Sequence, residues 1–358
     1  MKNINNFDVI VVGGGHAGTE AASASARLGA KTALITHKFE KIGEMSCNPA
    51  IGGLGKGHLV KEIDALDGLM ARAIDKAGIQ HRILNQSRGP AVRGQRAQAD
   101  RNLYKYAIQG FLKNQQNLSI IEASVEDIEI VDKKIKSIIL SNSIKLQSKT
   151  VVLTTGTFLR GLIRIGNDSY PAGRVGDKPS INLAKKIEFL KFSIGRLKTG
   201  TPPRLDRLSI NFNELDEQKP DKFPIPFSFI NRFINISQIS CYITHTCSKT
   251  HKLIKDNIHL SPMYSGEINA TGARYCPSIE DKIIKFSNKN SHQIFLEPEG
   301  LTSSVIYPNG ISTSLPPNIQ ESFIKTIKGL ENAKVIRPGY AIEYDYVSPL
   351  ELYHSLET

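Results

Sequence analysis

The sequence predicts an α/β fold in which a doubly wound parallel sheet carries a β-meander and an inserted α+β domain. Three observations support this prediction. Residues 7–12 form a short apolar run that ends at a glycine-rich turn, as expected for a buried parallel strand. An alanine-rich segment that favours a helix follows as far as residue 28, and residues 33–35 are typical of a second strand. From residue 118 onward apolar residues alternate with polar ones, which indicates a meander.

Changes in composition divide the predicted elements into three segments. Residues 1–202 are expected to form the first domain, with the meander at 118–150 ending in a buried strand. The composition then shifts toward Pro, Asn and Phe, so residues 203–295 are predicted to be the inserted α+β domain. The turn-rich segment 296–358 is predicted to return to the first domain.

Two helices are predicted between the second strand and the meander. Apolar residues in the segment 58–77 have the spacing of one amphipathic helix. A second helix is predicted over residues 95–112.

Bulk properties are those of a soluble globular enzyme, with 40% hydrophobic and 22% charged residues among 358. No apolar run approaches the roughly 20 residues of a membrane span, and the N-terminus lacks a secretory signal, so the protein is predicted to be cytoplasmic. The net charge of +12 makes a polyanionic partner plausible. An A/T-biased genome explains the many lysines equally well, and the placement of the charge must decide between the two.

A G-x-G-x-x-G pattern at Gly13, Gly15 and Gly18 lies between the first predicted strand and helix, which is the context of a dinucleotide site. Gly13 permits the tight turn, Gly15 lets the backbone approach a diphosphate, and Gly18 allows the helix to pack closely on the strand. The N-terminus of the helix then faces the phosphates. The pattern therefore predicts a Rossmann-like nucleotide site.

One departure from this pattern bears on the choice of nucleotide. The acidic residue expected about 20 residues further on is missing, and Thr36 and His37 stand there instead, with Thr36 the predicted partner of a ribose hydroxyl. This weakens the interpretation as a simple NAD dehydrogenase. A meander that returns to an apolar strand and to Thr155-Gly156 resembles the plan of flavoproteins with two dinucleotide sites, which favours FAD.

The four cysteines form no CxxC pair and are not expected to form disulfides, so any chemistry that they carry is predicted to be nucleophilic or metal-binding. Cys47 precedes a glycine-rich stretch, as expected where backbone runs close to a bound ring or phosphate. Cys276 is predicted to be a helix N-cap with Pro277 at the first helical position, where the helix dipole and Arg274 would lower the pKa of its thiol. The alternative for Cys276 is a small buried hydrophobic residue.

Two cysteines and two histidines lie close together in the sequence, as metal ligands often do. A strand with alternating packing explains their spacing better than zinc, so no metal site is predicted. These residues are Cys241, His245, Cys247 and His251.

Basic residues are concentrated between positions 82 and 101, and arginine rather than lysine dominates there, which genome bias does not explain. Arginine suits contacts with phosphates and bases. The alternative is a solvated helical face with ion pairs. The residues are Arg82, Arg88, Arg93, Arg96 and Arg101.

The stretches 13–22, 45–61, 195–204 and 274–282 resemble the MnmG (GidA) family, and the similarity runs from residue 7 to 358. The resemblance implies an FAD-dependent enzyme that adds a carboxymethylaminomethyl or aminomethyl group at C5 of the wobble uridine of tRNA. It further implies methylenetetrahydrofolate as the carbon donor, glycine or ammonium as the nitrogen source, and NAD(H) as the reductant. Expected partners are tRNA, the GTPase MnmE and a second copy of the chain.

The resemblance also assigns residues. Cys47 and Cys276 match the family's functional cysteines, and Cys276 would activate the uracil ring while the arginines hold tRNA phosphates. Ser180, which by its own context is a predicted helix N-cap, would contact FAD. The other implied FAD contacts are Gly13, Gly14, Gly15, His16, Ala17, Gly18 and Val125. The nicotinamide-associated stretch comprises Gly272, Ala273, Arg274, Tyr275, Pro277, Ser278, Ile279, Glu280, Asp281, Lys282, Ile283, Ile284, Lys285 and Phe286.

The sequence departs from the family in three places. Lys252 stands where an acidic residue is common, and Cys247 replaces a polar amide. The family continues beyond position 358, so the chain is expected to be a fragment or a shortened form without the second flavin-contacting segment and the C-terminal helical domain.

Two other functions remain open from the sequence. One is a folate- and FAD-dependent tRNA uridine C5-methyltransferase of the TrmFO type, which shares the glycine pattern. The other is a truncated, non-catalytic tRNA-binding protein without flavin.

Overall fold

The first strand and helix form where the apolar run and the alanine-rich segment predict them. The computed structural model describes residues 5–268, 270–272 and 276–358. Its helices are α1 (His16–Arg27), α2 (Lys56–Ala65), α3 (Met70–Ala77), α4 (Arg101–Lys113), α5 (Ile181–Phe189), α6 (Ser248–Asp256), α7 (Ile279–Lys285) and α8 (Pro317–Ile324).

The strands range from two to nine residues in length. In chain order they are β1 (Asn6–Val12), β2 (Thr32–Thr36), β3 (Ala50–Gly52), β4 (Gly78–Leu84), β5 (Gly94–Ala99), β6 (Leu118–Glu122), β7 (Val125–Val131), β8 (Lys134–Leu140), β9 (Lys145–Leu153), β10 (Leu162–Ile165), β11 (Asp168–Pro171), β12 (Ile194–Thr201), β13 (Arg204–Asp206), β14 (Asp216–Gln218), β15 (Cys241–His245), β16 (Thr271–Gly272), β17 (Gln293–Pro298), β18 (Val305–Asn309), β19 (Val335–Arg337) and β20 (Tyr340–Val347).

The first sheet has the strand order β6-β2-β1-β9-β8-β7. Strands β6, β2, β1 and β9 are parallel, and β7, β8 and β9 form the antiparallel meander. The predicted Rossmann-like α/β fold is therefore confirmed. The meander begins at Val125 rather than at residue 118, because Leu118–Glu122 pairs in parallel register with β2 and serves as the outer parallel strand.

The other large sheets account for the rest of the chain. One has the order β11-β10-β20-β12-β16 and the other β14-β15-β17-β18-β13-β19. The second of these sheets thus takes its strands from β13 through β19, so the segment 203–295, predicted to be the inserted α+β domain, shares it with β18 and β19, which come later in the chain. Strand β16 pairs with β12 of the other sheet, and β20 joins that sheet after β19. Strands β17 and β18 instead bond to β15 and β13 and complete the core around Leu296, Ile306 and Phe323.

The helix predicted over 58–77 is wrong in its continuity, since two helices, α2 and α3, form there. Asp67 adopts a left-handed backbone with φ of 64°, which ends the first helix. The Glu20 carboxylate accepts hydrogen bonds from the backbone N–H groups of Leu69 and Met70 at 2.9 and 2.7 Å, and so caps α3. A distant residue on α1 therefore decides where the second helix starts.

The helix predicted over 95–112 is wrong in its first six residues. Residues 94–99 form β5, the centre of a small antiparallel sheet of order β3-β5-β4. Helix α4 begins only at Arg101, where the Asp100 side chain accepts hydrogen bonds from the N–H groups of Asn102 and Leu103. Asp100 is a strong N-cap residue, and pairing with β3 and β4 outweighs the helical propensity before it.

None of the helices in the described part of the chain is long and apolar enough to cross a membrane.

Candidate functional site

The carboxyl ends of the parallel strands of the first sheet open onto a cleft of about 190 Å³. Ligands bind at this edge in open α/β sheets. The glycine turn after β1, Thr36 after β2 and Thr154 after β9 line the cleft, and Val125 and Ser180 close its far side. The predicted contacts Thr36, Val125 and Ser180 thus lie around one cleft with the glycine turn, and their role in binding a ligand stays a prediction.

The glycine turn has no room for a side chain at two of its positions and faces open space at a third. Gly13 has φ of +113°, and a Cβ there would lie 2.5 Å from the Thr154 carbonyl oxygen. A Cβ on Gly18 would lie 1.8 Å from the Gly13 carbonyl oxygen, so the helix packs directly on the turn. Gly15 has no atom within 4 Å of its notional Cβ and thus faces open space. No side chain caps α1 after Gly15, which leaves N–H groups of its first turn for an anion.

His16 and Ala17 occupy the first turn of α1, next to the lining glycines. Burial, together with the charge of Lys56, lowers the pKa of His16 to about 4, so the imidazole is neutral near pH 7. Its Nδ1 lies 3.4 Å from the Tyr104 hydroxyl. A neutral histidine here leaves the positive end of the helix dipole as the anion-binding element.

Ser180 is the N-cap of α5, as predicted, although its side chain makes no capping hydrogen bond. Its position in the cleft lining leaves the hydroxyl near any bound group.

Sequence reasoning missed several cleft residues. Arg174 pairs with Asp177 at 2.5 Å and lies over the Phe158 ring at 5.8 Å, which holds its guanidinium at the cleft wall. The weak signal was the pair of glycines that flank Arg174 and Val175, since glycines often mark backbone close to a ligand. Other missed lining residues include His37, Lys38, Lys41, Glu44, Ser46 and Leu183.

The two cysteines singled out from sequence meet at one backbone carbonyl. Cys47 Sγ lies 3.5 Å and Cys276 Sγ 3.7 Å from the carbonyl oxygen of Gly200, on β12. Both thiols are free and half-buried. Because Ser46 lines the cleft, the adjacent Cys47 connects the thiol pair to the nucleotide site.

Cys276 is not a helix N-cap, so that prediction is wrong. Ser278 caps α7 through a capping box with Asp281, and Pro277 precedes the cap instead of occupying the first helical position. The Cys276 thiol instead accepts a hydrogen bond from Thr199 Oγ1 at 3.2 Å. Burial lowers the pKa of nearby Lys282 while the Cys276 charge opposes that shift, and the ammonium donates to the Gly310 carbonyl at 2.8 Å.

The stretch 272–286, which the resemblance associates with nicotinamide, has some residues buried in the core and others on the surface. Ile279 and Ile283 are buried in the core of the inserted part, and Glu280 accepts a 2.9 Å hydrogen bond from Thr313. Burial would raise the pKa of Asp281, but Lys198 and Lys285 hold it below its usual range. Ile284 and Phe286 are exposed, Gly272 lies in β16, and none of these residues lines the cleft. Ala273, Arg274 and Tyr275 lie outside the described residues.

The five arginines do not share a helical face, because the chain from 78 to 99 forms the hairpin of β4 and β5. Arg96 pairs with buried Glu297 at 2.5 Å. Arg101 pairs with Glu299 at 3.1 Å and donates to the carbonyls of Met45 and Cys47. Of the remaining three, Arg88 and Arg93 are exposed in the connection between β4 and β5. Half-buried Arg82, on β4, lies opposite Arg96 and donates to the Lys219 carbonyl at 2.6 Å.

The Cys–His cluster of the inserted part is spread over a strand and a helix. Burial and nearby Glu297 raise the pKa of Cys241 to about 12, so this thiol stays protonated. His251 Nε2 lies 2.7 Å from the Thr246 hydroxyl, within the protein. Among the residues that the structure describes, no three His, Cys, Asp or Glu side chains are grouped to hold a metal ion.

The sequence and the fold of this chain are similar to those of known proteins. The family described as glucose inhibited division protein A, GidA, matches residues 8–358. The chain belongs to the GidA family. This GidA chain is 58% identical over 354 residues to the tRNA uridine 5-carboxymethylaminomethyl modification enzyme MnmG of Granulibacter bethesdensis, a match that covers 98% of the chain and 56% of that relative. The chain thus spans little more than half of that relative's length.

Solved structures agree with this membership. Aquifex aeolicus GidA in its form I crystal is 49% identical with a TM-score of 0.94, covering 99% of this chain and 60% of that one. The form II crystal gives 47% identity and a TM-score of 0.93, covering 100% of this chain and 58% of that one. The GidA fold described above is therefore that of the corresponding part of these structures.

Proposed function

We propose that this GidA chain is the flavin-binding part of an enzyme that adds a carboxymethylaminomethyl or aminomethyl group at C5 of the wobble uridine of tRNA. The observation that carries the proposal is the placement of two thiols on one carbonyl beside a dinucleotide cleft. The 58% identity to a relative named for this reaction supports it. That name favours aminomethyl chemistry over C5-methylation and over a non-catalytic role.

FAD is the proposed cofactor of the cleft. The tight turn at Gly13, the open space at Gly15 and the uncapped start of α1 suit a diphosphate, and Thr36 suits a ribose hydroxyl. Bound there, FAD would supply redox chemistry for the one-carbon unit. Methylenetetrahydrofolate as carbon donor, glycine or ammonium as nitrogen source and NAD(H) as reductant belong to the same proposal. An MnmE-type GTPase and a second copy of the chain are the proposed protein partners.

The two thiols would have different roles, Cys276 on the nucleobase and Cys47 near the cofactor. Addition of the Cys276 thiolate to C6 of uracil would make C5 nucleophilic, and C5 would then bond the methylene carbon supplied by methylenetetrahydrofolate. Loss of the C5 proton and departure of the thiolate from C6 would restore the C5–C6 double bond. Cys47, next to the cleft lining, is positioned for the cofactor side of the reaction. While protonated, both thiols can donate to the Gly200 carbonyl oxygen, which places the two sulfurs side by side before Cys276 is deprotonated.

A basic and aromatic surface beside the hairpin is the proposed tRNA contact. Phe223 and Phe229 are 79% and 69% exposed, and Lys222 and Lys61 lie over their rings at 5.5 and 4.7 Å. The Phe229 N–H donates to Asp64 at 2.7 Å, so the exposed ring stands on an anchored backbone. Rings paired with cations suit unpaired bases and phosphates, whereas a protein interface would bury those lysines at a cost.

Flavin uptake tests the first part of the proposal. The purified chain is expected to bind FAD in equilibrium dialysis at a one-to-one ratio. Failure to take up FAD at saturating concentration would remove the enzymatic proposal for this chain.

Modification assays test the thiols. With tRNA, methylenetetrahydrofolate, NADH, glycine or ammonium and the GTPase supplied to the full-length protein, Cys47→Ser and Cys276→Ser are each expected to abolish the aminomethyl product in mass analysis of the wobble nucleoside. Cys247→Ser, on an exposed thiol, is the matched control and is expected to retain it. Full modification by either single variant contradicts the assigned roles, and a C5-methyl product favours the methyltransferase.

Binding titrations test the tRNA surface. Phe229→Ala is expected to weaken tRNA binding about tenfold, since stacking on one base is worth about 1–3 kcal/mol. Removing both Arg88 and Arg93 is expected to reduce the slope of log affinity against log salt by about two. The control removes Lys134 and Lys145 from the meander and should leave the slope unchanged. If Phe229→Ala changes the oligomeric state instead, the surface belongs to a second copy of the chain.

A further inference from the structure

A buried tyrosine lies against the thiol of Cys47. Tyr307, on β18, is 2% exposed, and its hydroxyl is 3.2 Å from Cys47 Sγ. The two residues are 260 positions apart in the chain, so only the fold brings them together. No part of the function proposed above uses this tyrosine.

A charged network fixes the tyrosine and the thiol relative to one another. The Arg204 guanidinium lies over the Tyr307 ring at 4.5 Å and pairs with Glu299 at 2.6 Å. Glu299 also pairs with Arg101, whose other donors bond the carbonyl of Cys47. Arg204 is 3% exposed, so the network lies inside the protein. Buried networks of this kind restrict motion, and the phenol and thiol are held at hydrogen-bond distance.

The direction of the hydrogen bond follows from the surroundings. Burial, together with the charge of Cys47, holds the pKa of the Tyr307 phenol well above its usual range. The phenol therefore keeps its proton, and once Cys47 has lost its own, the hydroxyl is the donor and the sulfur the acceptor. The other titratable or charged groups that face this pair are Lys56 on α2, Arg101 on α4, Arg204 on β13, Glu297 on β17 and Tyr340 on β20.

We propose that Tyr307 is a positioning residue that stabilises the Cys47 thiolate by donating a hydrogen bond to its sulfur. A thiolate that accepts such a bond is favoured over the thiol, and its lone pairs are oriented by the fixed phenol. The consequence for turnover rests on the proposed role of Cys47 in tRNA modification. The effect on the thiol itself does not depend on that role.

The test is the pH profile of Cys47 alkylation by iodoacetamide, followed site by site with mass spectrometry on the purified chain. Tyr307→Phe removes the donor and is expected to move the midpoint of the Cys47 profile upward by about one pH unit, since a hydrogen bond to a charged group is worth at least that much. Below the midpoint, alkylation is then about tenfold slower. The exposed thiol of Cys247 is the internal reference and should keep its profile.

Tyr242→Phe is the matched control, because this tyrosine lies in the same sheet and packs against Phe212 at 4.6 Å. It is expected to leave the Cys47 profile unchanged. Site-specific 3-fluorotyrosine at position 307, a stronger donor, should move the midpoint downward, and it decides the matter if Tyr307→Phe does not fold. An unchanged or downward-shifted midpoint in folded Tyr307→Phe, or an upward shift with fluorotyrosine, overturns the proposal. Failure of FAD uptake or of tRNA modification leaves this profile measurable, so the two proposals fail separately.

Discussion

At the scale of single residues, the glycines of one motif have different physical duties. Gly13 and Gly18 are required by the protein itself, since a Cβ at either would lie within 2.5 Å of a backbone oxygen. Gly15 is different, because nothing surrounds the position that a Cβ would take and its φ of −78° suits any residue. We therefore expect the missing side chain of Gly15 to matter for the proposed nucleotide, and those of Gly13 and Gly18 to matter for folding.

Alanine substitutions test this division. Gly18→Ala is expected to lower the free energy of unfolding by about 1–3 kcal/mol through overpacking against Gly13. Gly15→Ala is expected to leave stability within about 0.5 kcal/mol of the parent chain while FAD affinity falls about tenfold or more. Urea unfolding and flavin titration measure the two effects. Equal losses of stability in both variants would show that the motif acts only in folding.

At the scale of elements, β5 and the start of α4 join the small sheet to the inserted part. Arg96 bonds Glu297 on β17, and two residues later the Gln98 amide donates to the Pro298 carbonyl at 2.9 Å. The backbone N–H of Arg101 then donates to the Glu299 carbonyl at 3.1 Å. This row of contacts explains why arginines that suit RNA in the sequence are used inside the protein.

The Arg96–Glu297 pair provides a prediction at this scale. Burial raises the pKa of Glu297 while Arg96 opposes that shift, so the carboxylate depends on the arginine for its charge. Arg96→Ala is expected to cost about 3–5 kcal/mol, because it leaves a buried charge unpaired. Exposed Arg93, three residues earlier, is the control, and Arg93→Ala should change the free energy of unfolding by less than about 0.5 kcal/mol. A small loss for Arg96→Ala would mean that water reaches Glu297.

At the scale of the whole molecule, the irregular segment between β14 and β15 packs across the small sheet and buries His81. The backbone N–H of His81 donates to the Gln238 side chain at 3.0 Å, and the centre of the His81 ring lies 6.4 Å from that of the fully buried Phe227. Burial lowers the pKa of His81 to about 4. Between about pH 6.5 and pH 4, His81 is neutral in the folded chain and protonated in the unfolded chain, so the stability of this packing depends on pH.

Because the pKa of His81 is lower in the folded chain than in the unfolded chain, the free energy of unfolding is expected to fall in acid. As pH falls below the usual histidine value of 6.5, the unfolded chain takes up the proton first, and the folded chain follows only near pH 4. The contribution of His81 is thus present above pH 6.5 and is lost progressively toward pH 4, by up to about 3 kcal/mol. His81→Gln is expected to flatten the curve of unfolding free energy against pH in this window, whereas His58→Gln, at an exposed site, should not. Parallel curves for His81→Gln and the parent chain would contradict the assignment.

Elements whose signals are local were predictable from the sequence. The glycine turn, β1, β2 and the Ser180 cap were all placed correctly, because each depends on residues within one or two turns of chain. The errors occurred where distant contacts override local preference. Residues 94–99 favour a helix by composition, yet strand pairing with β3 and β4 makes them β5. The break between α2 and α3 likewise depends on Glu20, some fifty residues away.

The sequence by itself determined the family, the Rossmann-like core and the choice of Cys47 and Cys276 as candidate functional residues. Motif spacing and short-range backbone preferences depend on consecutive residues, so they can be recognised without the structure. Only the tertiary structure decided that both thiols meet at Gly200, that Tyr307 lies against Cys47 and that Arg96 and Arg101 serve as internal ion pairs. These pairings join residues far apart in the chain. Their distances are set by how sheets pack on one another, which no local pattern encodes.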